Sequence, residues 1–197
     1  AEGSYITSLE FENIEFQHAS NNKYFMNADK SFTLESVSFV NCDFIGLTRG
    51  FWRHQQATGK HIMNFEVEGC RFDKCGWQTG SYGLVDLRSF NDPTSYDQID
   101  KAVFRNCTFS RDNDGTAGFG WGNLFYAPYV DKPIQLEFKN ITIYNYSLNK
   151  RLINISSAVG SELTIEGMVL ASPSGDLYVG SCVHLGGFRI YFIKFRG

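Results

Sequence analysis

The chain is short of proline, odd in cysteine, nearly neutral, and without a long apolar run. Four prolines among 197 residues and 16% aromatics exclude a disordered or low-complexity chain. A net charge of -3 gives no field that would attract nucleic acid or an anionic membrane. The apolar runs are a few residues long, far below the roughly 20 that a membrane-spanning helix needs. Five cysteines (Cys42, Cys70, Cys75, Cys107 and Cys182) cannot close into a full set of disulfides. The four histidines, His18, His54, His61 and His184, do not cluster with them at metal-ligand spacing. Residues 1–4 carry neither the basic nor the apolar region of a signal peptide.

What the chain has instead is one short unit, repeated. Phe39-Val40-Asn41-Cys42-Asp43-Phe44 sets the form: apolar, any, Asn or Gly, Cys or aliphatic, any, apolar. The same form recurs around Asn13, Gly69, Asn106, Asn140 and Gly167, at steps of 28, 28, 37, 34 and 27 residues between positions 13, 41, 69, 106, 140 and 167. The unit holds no helix pattern. Recurrence of a strand-like unit at this period predicts a solenoid of strands. Asn and Gly both tolerate left-handed backbone angles, so their shared slot reads as a bend. Cys42, Cys70 and Cys107 share the next slot and are expected to stack as small buried thiols. Two of the glycosylation sequons spelled here, at Asn106 and Asn140, read as by-products of the repeat.

A second strand lies between successive copies: Tyr24–Asn27, Phe51–His54, Leu84–Arg88, Leu124–Tyr126, Leu152–Ile155 and Leu177–Gly180. Each repeat therefore holds two or more short strands joined by bends, and like strands should stack in parallel about 4.7–4.9 Å apart. The expected fold is all-β, a right-handed parallel β-helix of about six rungs forming one domain over 1–197. A start almost directly in a repeat suggests a module excised from a longer protein. The basic, apolar tail 186–197 is expected to form a terminal strand or cap.

The longer steps of 37 and 34 residues hold Gly-, Asn- and Asp-rich insertions around Trp77–Tyr82, Ser89–Tyr96 and Arg111–Trp121. Insertions in repeat folds gather on one face, often the binding face. Asp112-Asn113-Asp114-Gly115 opens like a calcium loop but lacks the later acid, so a solvated turn is the better reading. No cofactor is expected, with a structural calcium as the open alternative. Aligning the second strands forms a column of Asn27, Arg53, Asp86, Tyr126 and Asn154, which alternation places outside if Val85, Phe125 and Ile153 point inward. Arg53, Asp86, Arg88 and Tyr126 offer bidentate or planar hydrogen-bonding groups. Trp52, Trp77, Tyr82 and Trp121 lie on the same strand or the loops feeding it. Aromatic faces beside polar forks suit sugars, which present apolar C–H faces and hydroxyl rims.

The Asn-Cys-x-Phe units and paired short strands resemble the right-handed parallel β-helices of the pectate-lyase-like superfamily, over about residues 6–183. More narrowly, they are similar to β-helical carbohydrate-binding modules attached to xylanases and other polysaccharide-degrading enzymes of gut and rumen Bacteroidetes. The resemblance implies a secreted or cell-surface bacterial protein, monomeric, that binds a plant polysaccharide, xylan foremost, beside an attached glycoside hydrolase. A polysaccharide lyase or hydrolase is the alternative. The polygalacturonase motifs of the superfamily are absent. Asp86 stands between Arg53 and Arg88, which should hold it ionised and a poor general acid. No second carboxylate accompanies it on that strand, so a binding role is expected over a catalytic one.

Overall fold

The computed structural model describes residues 3–17, 24–28, 30–47, 50–54, 59–75, 83–87, 98–110, 123–127, 132–144, 153–156, 161–171, 183–186 and 189–195. These residues form strands and turns with no helix. The strands, numbered in chain order, fall into three series. The long series is β1 (Ser4–Glu12), β4 (Phe32–Val40), β7 (Lys60–Glu68), β10 (Gln98–Arg105), β13 (Gln135–Lys139) and β16 (Glu162–Ala171). The short series is β2 (Glu15–Gln17), β5 (Asp43–Ile45), β8 (Arg71–Asp73), β11 (Thr108–Ser110) and β14 (Thr142–Tyr144). The third series is β3 (Tyr24–Ala28), β6 (Gly50–His54), β9 (Gly83–Asp86), β12 (Asn123–Ala127), β15 (Ile153–Ser156) and β17 (Val183–Gly186). A last strand, β18 (Arg189–Phe195), pairs with β16, so the tail forms the strand expected of it.

Every recorded strand pair is parallel and joins like strands of successive repeats. The third series makes a six-stranded sheet, β3-β6-β9-β12-β15-β17. Long and short series join through β16, which pairs with β13 by its first half and with β14 by its second. The sixth strand of the third series is Val183–Gly186, a correction to the expected Leu177–Gly180, which lies outside the described residues.

The bend between long and short strands is built as the repeat implies. Asn13, Asn41, Asn106 and Asn140 have φ of 51–55°, and Gly69 and Gly167 have 63° and 64°. Asn pays little for this conformation because its side chain bonds locally. Here the bonds run along the stack: Asn140 Nδ2 donates to Asn106 Oδ1 at 3.0 Å, and the Asn41 backbone N–H donates to the Glu68 carbonyl at 2.9 Å. A Cβ on Gly69 would lie 2.4 Å from Asn41 Oδ1, so glycine there is steric as well as conformational.

Inward columns stack like on like. Phe11, Phe39, Val67, Phe104, Phe138 and Ile165 form one, and Phe16, Phe44, Phe72 and Phe109 begin another. Phe11 and Phe39 stack at 4.8 Å, as do Phe72 and Phe109. No single repeat could bury these rings; each covers the next, at about 1.5–3 kcal/mol of apolar transfer per fully buried side chain. Cys42, Cys70 and Cys107 form the thiol column between them, buried and unbonded. Each donates to a carbonyl of the preceding repeat: Cys42 to Phe11 at 3.5 Å, Cys70 to Phe39 at 3.3 Å, Cys107 to Val67 at 3.4 Å. Cys75 is likewise free, so no disulfide joins it to Cys70.

The outer face of the long sheet is polar and paired across strands. Arg105 bridges Glu66 at 3.1 Å and Glu137 at 2.8 Å, and His61 meets Asp100 at 2.8 Å. On the short series Arg71 grips Asp43 through Nε at 3.1 Å and Nη2 at 3.0 Å.

Candidate functional site

The six-stranded sheet carries the predicted column in register. Asn27 pairs with Arg53, Arg53 with Asp86, Asp86 with Tyr126, and Tyr126 with Asn154; the register continues to His184. The neighbouring column is Met26, Trp52, Val85, Phe125, Ile153 and Val183. Trp52, Val85 and Phe125 belong to the core, as do Phe51, Leu84 and Leu124 before them, whereas Arg53, Asp86 and Tyr126 do not.

Two expectations need correcting. Trp52 is not a stacking wall. It is 1% exposed, with its ring 5.3 Å from that of Phe65, because its register partner is the inward Val85. Arg53 and Asp86 face outward but do not face solvent: they are 4% and 0% exposed. Both faces of this sheet are covered at its second and third strands, as is usual for parallel sheets. Tyr24 supplies part of the cover. The Arg53 guanidinium carbon lies 5.4 Å from the Tyr24 ring centroid, and the Tyr24 hydroxyl donates to Asp86 Oδ2 at 3.5 Å. The sequence signal for Tyr24 is the residue opposite it: Gly50, which leaves the room a side chain would take. Along the same column Asn27 is exposed and Tyr126 half-buried. Trp77, Tyr82, Arg88 and Trp121 lie outside the described residues, as does the Asp112–Gly115 turn.

A second polar group, unforeseen in the sequence, lies inside the fold. His54 is fully buried, its ring 5.9 Å from Phe32 and 6.4 Å from Trp52, and neither ring nitrogen has a hydrogen-bond partner among the described residues. Burial, aided by the charge of the buried Lys60, pushes its pKa down to about 3. His54 therefore stays neutral at physiological pH. The alternation of β6 carries the signal, since His54 shares the inward face with Trp52.

Among the described residues no group of three or more His, Cys, Asp or Glu could hold a metal ion, and no helix is long and apolar enough to cross a membrane. Comparison with family models, curated proteins and solved structures finds no match to this chain.

Proposed function

We propose that the chain is a right-handed parallel β-helix of about six coils that binds a plant polysaccharide without cleaving it, with xylan as the favoured ligand. On this reading it is a secreted module that targets an attached glycoside hydrolase. The observation that carries the reading is the outward column of the six-stranded sheet. Its register position holds Asn27, Arg53, Asp86, Tyr126, Asn154 and His184, each a residue type that can hydrogen-bond. Parallel strands repeat about every 4.7–4.9 Å, close to one sugar unit, so a glycan along the stack would meet successive strands with successive residues.

The enclosure of Arg53 and Asp86 divides the column. Enclosed, they brace the sheet beneath Tyr24, and contact falls to the less covered members such as Tyr126, with Trp77, Tyr82, Arg88 and Trp121 as the aromatic and polar walls. Asp86 has no exposed surface through which to protonate a glycosidic oxygen, which favours binding over hydrolysis or elimination. Few contacts and an ordering cost together imply micromolar to millimolar affinity, about -8 to -4 kcal/mol.

The test is gel retardation against xylan, pectin, alginate and glucans, run beside assays for reducing ends and for ultraviolet-absorbing unsaturated products. Retardation by one polymer with neither product, lost in Tyr126→Ala, supports the reading. Product formation would replace it with the enzyme reading.

A further inference from the structure

The outer face of the long sheet carries an anchored histidine that the binding column does not use, and we infer that His61 there is a general base for the hydrolysis of a neutral carboxylic ester. His61 Nε2 meets Asp100 Oδ2 at 2.8 Å, with side chains 36% and 45% exposed. Gln98 Nε2 donates to the other carboxylate oxygen, Asp100 Oδ1, at 2.9 Å. Gln98 is 5% exposed and also donates to the Pro133 carbonyl at 3.4 Å. A buried amide thus holds the carboxylate, and the carboxylate holds the ring. An exposed ion pair without such an anchor would fix little. A carboxylate only accepts, so in the neutral imidazole Nε2 carries the proton and Nδ1 keeps the lone pair. Nδ1 has no recorded partner among the described residues. His61 is therefore a positioned base with one nitrogen open to a substrate, and Asp100 is its positioning residue.

The strands around it are shaped to match. Their register steps from Leu34–Ile62–Ile99 to Ser36–Asn64–Lys101 and passes over Glu35, Met63 and Asp100. On β10 this step turns two successive residues outward. Ile99 and Ala102 are 0% exposed, while Asp100 is half-buried and Lys101 exposed between them. Lys101 belongs to no recorded ion pair among the described residues, so its cation is available to an oxyanion. The acidic residues at the step, Glu35 on β4 and Asp100 on β10, disfavour a uronate or a phosphate, whereas an uncharged ester carbonyl meets no such repulsion. Water attacks the ester carbonyl as its proton passes to Nδ1, and the carbonyl π electrons move to oxygen, giving an oxyanion that Lys101 stabilises. Collapse re-forms the carbonyl, breaks the C–O bond to the alcohol and returns the proton from Nδ1 to the leaving oxygen. Acid and alcohol are the products. Nothing is oxidised and no glycosidic bond is cut, so the step is compatible with a polysaccharide binder that leaves its polymer whole.

Hydrolysis of p-nitrophenyl acetate by the intact chain tests the step. This ester needs no polysaccharide site, so the outcome is separate from that of gel retardation. The rate should saturate with ester concentration. His61→Gln should lower kcat/KM about 100-fold or more. Asp100→Asn should lower kcat about tenfold or more at unchanged KM, because an asparagine amide can donate to Nε2 and so leave the proton on Nδ1. Nitrogen-15 NMR of the imidazole reads that tautomer directly, with the proton on Nε2 in the parent and on Nδ1 in Asp100→Asn. If either variant fails to fold by circular dichroism, Lys101→Met decides at an exposed position, where kcat should fall about tenfold or more. A rate that rises linearly with ester and equals that of free imidazole, or one that His61→Gln leaves unchanged, overturns the proposal.

Discussion

The hydroxyl of Tyr24, on the first strand of the six-stranded sheet, reaches the carboxylate of Asp86 on the third, 62 residues later, at 3.5 Å. This contact spans β6, where Arg53 lies against the same tyrosine ring. One aromatic side chain thus ties three repeats together on the outer face. It also changes what Asp86 does, from a surface contact to an enclosed brace.

Asp86→Ala is accordingly expected to destabilise the fold and not merely to weaken binding. Removing a fully buried acceptor strands the groups it satisfied, at about 1–3 kcal/mol. Tyr24→Phe keeps the ring over Arg53 and loses only the hydroxyl, so about 1 kcal/mol or less is expected. Urea unfolding measures both. A midpoint for Asp86→Ala equal to that of the parent would show the carboxylate to be solvated.

The bend ladder makes a separate prediction. Gly69→Ala combines a φ of 63° with a Cβ 2.4 Å from Asn41 Oδ1. The expected cost is about 1–3 kcal/mol. Gly69→Asn tests which part dominates. Asparagine accepts the backbone angle but still carries the clashing Cβ, so recovery of stability would show that the Asn41 side chain can move aside.

How much of this was legible in the sequence follows from what each signal encodes. The Asn/Gly slot was legible because a left-handed bend restricts residue type, and all six bends stand where it marks them. The Arg53–Asp86–Tyr126 column was legible because the apolar pair beside it fixes the register. Its exposure was not, because alternation names a face and not what lies over it. Trp52 departs from the expected wall because its register with Val85 places it in the core. The sixth strand was misplaced because the step from bend to third strand varies, from 9 residues between Asn41 and Gly50 to 17 between Asn106 and Asn123. The pairing of stacked strands does not set that spacing.

The thiol column should be silent in the native state. Burial raises Cys70, Cys75 and Cys107 to about 12, so almost no thiolate exists near neutral pH. Native Cys42, Cys70, Cys75 and Cys107 should resist an aromatic disulfide reagent and react together on unfolding. Fast native modification of any of the three stacked thiols would show that column to be open.

Acid should unfold the protein through His54. The folded pKa, about 3, lies below the ordinary value of 6.5, so between those values the unfolded chain binds a proton that the folded one does not. The stability this group contributes is complete above about pH 6.5 and declines as pH falls toward 3. The slope approaches about 1.4 kcal/mol per pH unit once the unfolded histidine is protonated. His54→Phe removes the proton site and keeps an aromatic ring beside Phe32 and Trp52, so its unfolding free energy should fall less steeply over the same range. The comparison needs urea titrations of both proteins at several pH values, because carboxylates contribute their own acid sensitivity to each. The difference between the two curves isolates His54. Parallel curves would mean that the imidazole is protonated as easily in the fold as in the unfolded chain, and that His54 is not enclosed.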